Sequence, residues 1–130
     1  MKKASLLLAV VLYVVTASLA FGQGPMMQGK PSPADQARLT KLEKAYTAAK
    51  AGLAKSPKNA KAKADFASIG AAYGHESMVS PVLDPKVKYR QALKVYREVL
   101  KVDPNQPVAK KESELIISIY KSMGRPVPGG

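Results

Sequence analysis

The chain contains no cysteine, no tryptophan and only one histidine among its 130 residues. Without cysteine it can form no disulfide framework, no thiolate metal site and no cysteine nucleophile. The single histidine, His75, is followed by Glu76, but adjacent residues do not share a helix face and no second His or Cys could complete a metal site. No serine stands in a nucleophile-elbow motif, and no glycine-rich phosphate loop occurs. We therefore expect no enzyme activity, no cofactor and no metal.

The longest apolar run lies at the start of the chain and is typical of a secretory signal peptide. A basic start, Met1-Lys2-Lys3, precedes an apolar stretch that ends in small residues. We predict a signal peptide over residues 1–22, with cleavage after Ala20 or Gly22. The alternative is an uncleaved membrane anchor, because about 20 apolar residues suffice to span a bilayer. Either way, we expect the rest of the chain in the periplasm or outside the cell.

Acidic residues are also scarce, with 9 Asp and Glu against 21 Lys and Arg. The excess of positive charge remains strong when Lys2 and Lys3 are removed with the signal. Such a surface attracts acidic proteins, anionic lipid, acidic polysaccharide or nucleic acid. Nucleic acid is the least expected of these partners, because an exported protein seldom meets it.

Four helices are predicted in the remainder, and no segment alternates strongly enough to be a strand. Ser32 and Pro33 begin the first helix, which ends at Ser56 before a proline. The second follows Asn59 and is predicted to end at Gly74. The third begins at Asp84 and Pro85 and stops before Asp103 and Pro104, and the fourth runs from near Pro107 to Gly124. We predict a flexible lead-in over 23–33, a helical domain over 34–124 and a flexible tail over 125–130, giving an all-α class.

The four helices form two copies of one helix pair. Identical residues recur 47 positions apart: Ala45 and Ala92, Leu53 and Leu100, Pro57 and Pro104, Tyr73 and Tyr120. Self-similarity at a fixed period indicates a helical repeat array. Close packing explains the residue types, since small residues let helices approach and tyrosines fill the gaps between them.

This pattern resembles the tetratricopeptide repeat. The resemblance rests on Phe66, Ile69, Gly70 and Tyr73 in the second helix and on Ala92, Tyr96, Leu100 and Pro104 in the third, with Tyr120 repeating Tyr73 in the fourth. It implies antiparallel helix pairs stacked into a short α-solenoid of about two repeats. The period of 47 residues exceeds the family's roughly 34, and most of the extra length falls in residues 75–83. That segment is predicted to be a loop, serving either as a lid on the core or as a docking site.

The resemblance also implies where a partner binds and how the chain assembles. In this family the first helix of each pair lines an inner groove; the matching positions here are Ala64, Ala67, Ala71, Lys111, Glu114, Ser118 and Lys121. A smooth patch beside a polar one suits a protein or peptide partner. Because arrays usually need about three repeats for independent stability, we also expect self-association or docking onto another protein.

Two functions remain open from the sequence. The first is an exported, non-catalytic interaction module that uses the groove. The second is a basic protein of the cell envelope that binds anionic lipid, polysaccharide or acidic protein through a patch that includes Lys94, Arg97 and Lys101. Such a charge run is also typical of an ordinary solvated helix face.

Overall fold

The computed structural model describes residues 29–129, which form four helices joined by short connections. They are α1 (Pro33–Lys55), α2 (Ala60–Val79), α3 (Pro85–Val102) and α4 (Pro107–Ser122), and residues 29–129 contain no strand. The predicted all-α class is therefore confirmed. The predicted signal peptide and residues 23–28 of the predicted lead-in lie outside the described residues. None of the four helices is long and apolar enough to cross a bilayer.

Side-chain caps fix the start of every helix. The hydroxyl of Ser32 accepts from the backbone N–H of Asp35, whose carboxylate accepts in turn from the backbone of Ser32, which completes a capping box. Asn59, Asp84 and Gln106 cap the other three helices through their side-chain oxygens. All four predicted starts are confirmed, because a cap depends only on residues next to it in the chain.

The predicted end of the second helix is wrong. α2 continues through Gly74 to Val79 and stops at Ser80, which precedes a proline. Gly74 is helical and serves close packing: a Cβ there would lie 2.8 Å from Cδ1 of Tyr96 on α3. Five of the nine residues predicted as a loop over 75–83 are thus helical, and Ser80 is fully buried in the short connection that remains.

Neighbouring helices pack antiparallel. Gln91, near the start of α3, donates to Tyr73 and Ser77 of α2, whereas Val99, near its end, faces Gly70. α2 lies between α1 and α3 and also contacts α4. Of the residues predicted to pack the repeat, Pro104 alone is exposed; the others are in the core or against it: Phe66, Ile69, Gly70, Tyr73, Ala92, Tyr96, Leu100 and Tyr120.

Residues 125–129, called the tail here, turn back onto the helices. Gly124 has φ +63°, and the N–H groups of Gly124 and Arg125 donate to the carbonyls of Lys121 and Tyr120. These two bonds form a Schellman motif, which needs a residue such as glycine at the left-handed position. The reversal places Val127 against the hydrophobic core, where it is half-buried.

Candidate ligand-binding groove

A groove of about 1290 Å³ is lined mainly by residues of α3. Residues of α1 and of the tail also line it, and both contact α3, through Glu98 and Arg97 respectively. Basic residues far outnumber acidic ones in its lining, with two acidic side chains, Glu43 and Glu98, against seven basic ones: Lys50, Lys86, Arg90, Lys94, Arg97, Lys101 and Arg125. Such a concave surface of one sign concentrates ligands of the opposite charge.

Most of this positive charge forms one stripe along α3. Lys86, Arg90, Lys94, Arg97 and Lys101 follow one another in steps of four, four, three and four residues, which places them on a single helix face. At 1.5 Å per residue the stripe is about 22 Å long. The predicted basic patch of Lys94, Arg97 and Lys101 is therefore brought together. Lys86 and Arg90, which the sequence also places among the basic residues of the third helix, continue it toward the start of α3.

The α1 side of the groove is held by a polar contact around the carboxylate of Glu98. Lys50 Nζ donates to Glu98 Oε2 at 2.7 Å, and the hydroxyl of Tyr46 donates to the same oxygen. Burial alone would raise the pKa of Glu98, but these two hydrogen bonds and the nearby charge of Lys94 outweigh it, so the pKa of Glu98 is lowered. Glu98 is thus charged and already paired, and most of the basic stripe stays free to attract an external anion.

Three tyrosines line the groove, and two of them, Tyr46 and Tyr73, are largely buried at its base. Tyr46 and Tyr73 lie with ring centroids 5.2 Å apart, and Tyr73 accepts a hydrogen bond of 2.8 Å from Gln91 Nε2. Burial raises the pKa of both phenols, so their hydroxyls remain protonated at neutral pH. Tyr120 adds a third ring from α4. Apolar rings beside lysine and arginine side chains suit a ligand that has both carboxylates and apolar groups.

The tail side of the groove is held by Arg97. Its Nη1 donates to the carbonyl of Pro128 and, at 3.0 Å, to the carbonyl of Gly129. Gly129 has φ +62°, and a Cβ there would lie 2.8 Å from the same nitrogen. Only glycine fits this position without strain. The contact was not predicted, because it depends on the fold-back at Gly124.

The inner groove that the family resemblance predicts does not coincide with the basic groove. Ala67 and Ala71 are 4% and 3% exposed, so the smooth wall that they were expected to offer is covered. Ala64 is exposed on α2, and four further predicted positions are exposed on α4: Lys111, Glu114, Ser118 and Lys121. None of these seven residues lines the basic groove.

His75, Glu76 and Glu112 have structural partners outside the groove. His75 Nδ1 lies 2.9 Å from Glu112 Oε1, and Glu112 also accepts from the hydroxyl of Tyr96. Glu76 is buried and pairs with Arg38 Nε at 3.1 Å instead of joining its neighbour His75. Within residues 29–129, no three His, Cys, Asp or Glu side chains are placed to hold a metal ion.

Comparisons with known proteins identify no family for this chain. No family model matches the chain, and neither the curated proteins nor the solved structures give a match. The functional argument therefore depends on the residues of the groove themselves.

Proposed function

We propose that this protein is an exported, non-catalytic interaction module, built from tetratricopeptide-like helix pairs, that binds an acidic segment of a partner protein in its basic groove. The signal-like first 22 residues support export. The observation that carries the binding proposal is the basic stripe of α3, set in a concave surface beside three tyrosines.

Two observations support the tetratricopeptide-like assignment of the helix pairs. The 47-residue spacing relates α1 to α3 and α2 to α4. In addition, Gly70 lies where α2 and α3 approach so closely that a Cβ would overlap Val99. A small residue at this point of a helix pair is what the family pattern uses.

Charge and shape together favour an acidic protein segment over a flat anionic surface. The stripe lies between α1 and the tail, so a chain can enter the groove along α3. A flat membrane surface would fit a concave lining less well. An extended acidic segment can contact the stripe and the half-buried ring of Tyr120 at once.

Fluorescence anisotropy of the purified protein with labelled polyglutamate tests this proposal. We expect binding that weakens steeply as salt is added, because the interaction depends on exposed charges. The double substitution Lys94→Glu and Lys101→Glu should weaken binding by roughly tenfold or more, since two attractions become repulsions.

The matched control is the double substitution Lys111→Glu and Lys121→Glu, which makes the same change of charge on exposed positions of α4. It should weaken binding much less. Equal losses in the two variants would contradict a site in the groove, and a larger loss in the α4 variant would favour the inner groove implied by the family. Tighter binding to phosphatidylglycerol vesicles than to polyglutamate would overturn the assignment of a protein partner in favour of lipid.

A further inference from the structure

The groove already holds one stretch of polypeptide, namely its own tail. Arg97 binds the tail through two neutral carbonyl oxygens, those of Pro128 and Gly129. The tail also brings Arg125 into a groove whose other basic residues number six. Arg125 therefore carries a charge of the same sign as the site and is repelled by it, and the tail is retained by Val127 packing and by the Arg97 hydrogen bonds.

We propose that the ligand of the groove is an extended acidic peptide, one carboxylate of which takes the place of the tail carbonyls on Arg97. This inference rests on the proposed function and adds the form of the ligand and the role of the tail. A carboxylate accepts two parallel hydrogen bonds from a guanidinium and is a stronger acceptor than a neutral carbonyl. The tail is then a displaceable strap that competes with the partner.

The dimensions of the site favour an extended ligand. A polyproline II chain rises about 3.1 Å per residue, so about seven residues match the 22 Å stripe of α3. The tail itself has prolines at 126 and 128, and its carbonyls face Arg97. A peptide that alternates proline with glutamate has the same backbone preference, so it loses less conformational freedom on binding than a flexible acidic peptide does. Its glutamates also carry the charge complementary to the groove.

The substitution Gly129→Ala tests the strap without changing any charge. A side chain at φ +62° is strained, and its Cβ would meet Arg97 Nη1. The docked population of the tail should fall, and the apparent affinity should rise in proportion to the fraction of molecules with an open site. We expect a labelled peptide of alternating glutamate and proline to bind about three- to tenfold more tightly.

Gly29→Ala is the matched control, because Gly29 has no neighbour within 4 Å among the described residues and no positive φ. It should leave the affinity unchanged. A second variant, Val127→Ser, releases the tail by removing its apolar contact and should also tighten binding. Unchanged or weaker binding in both tail variants would overturn the strap.

These outcomes are separable from those of the proposed function. If charge reversal at Lys94 and Lys101 abolishes binding but neither tail variant tightens it, the groove is the site and the displaceable strap is wrong. If charge reversal has no effect, the groove itself is wrong. In nuclear magnetic resonance spectra, the amide signal of Gly129 should shift when peptide is added to the wild-type protein, and an unmoved signal in the saturated complex would contradict displacement.

Discussion

Lys88 should make the folded protein less stable than it would be with an apolar side chain at this position. The residue is 1% exposed, and its Nζ is buried with no hydrogen-bond partner among residues 29–129. A buried polar group without a partner costs about 1–3 kcal/mol, and a charged group costs more. Methionine has a similar length and no charge, and it adapts well to irregular core sites.

We therefore expect Lys88→Met to raise the free energy of unfolding by about 1–3 kcal/mol. For a domain of about 100 residues, each 1 kcal/mol corresponds to roughly 4 °C or more in melting temperature. Urea denaturation followed by far-ultraviolet circular dichroism measures the difference directly. The matched control is Lys86→Met, because Lys86 is exposed two residues earlier on the same helix; it should change stability by about 0.5 kcal/mol or less.

The gain should depend on pH in a defined direction. Burial lowers the pKa of Lys88, although the charge of Asp84 opposes the shift. Between the lowered pKa of the folded state and the ordinary lysine value of about 10.4, the unfolded chain binds more protons than the folded chain. The free energy of unfolding of the wild-type protein therefore rises with pH across that window, as Lys88 loses its proton in the folded state. The advantage of Lys88→Met should shrink as the pH is raised through it.

Two results would refute this reasoning. One is a Lys88→Met variant that is no more stable than the wild type at neutral pH. The other is a gain in stability that Lys86→Met matches, because exposure would then be irrelevant.

Three further predictions concern packing, acid stability and assembly. Gly74→Ala should lower the free energy of unfolding by about 1–3 kcal/mol, because its Cβ would press on Tyr96. Gly52→Ala, whose Cβ would have no neighbour within 4 Å among the described residues, should instead raise it by about 0.5–1 kcal/mol. Equal effects of the two substitutions in urea denaturation would argue against the close approach of α2 and α3 at Gly74. Because the pKa of Glu98 is lowered, its contribution to stability is complete above the ordinary glutamate value of about 4.3 and is lost as the pH falls through the lowered folded value. Glu98→Gln should therefore be less stable than wild type at neutral pH and equal to it in acid, and a difference that persists in acid would contradict the pairing with Lys50. Sedimentation should reveal self-association that increases with concentration, and a fully stable monomer at all concentrations would count against it.

The sequence predicted those features of the fold that depend on neighbours in the chain. Helix starts at Ser32, Asn59 and Asp84 were correct, because each side chain caps the backbone two or three residues away. The end of α2 was wrong because Gly74 has two uses that the sequence does not separate. Glycine ends many helices, but here it makes room for the ring of Tyr96, which is 22 residues further along the chain and becomes adjacent only in the folded protein.

The candidate site was predictable only in part for the same reason. The basic stripe is a local helical pattern, so Lys94, Arg97 and Lys101 could be grouped from spacing alone. Which alanines of α2 are covered depends on how α1 and α3 pack against it, and Ala67 and Ala71 are buried as a result. The contact of Arg97 with Pro128 depends on the reversal at Gly124, and a proline-rich sequence alone does not specify where such a segment docks.

Mapping of chemical shifts on the isotopically labelled protein, during titration with an acidic peptide of alternating glutamate and proline, tests the central claim most directly. The account predicts that the largest changes fall on the basic stripe of α3, on the facing residues Tyr46 and Lys50 of α1, and on the tail. Changes concentrated on the exposed residues of α4, or spread evenly over every lysine of the surface, would contradict it.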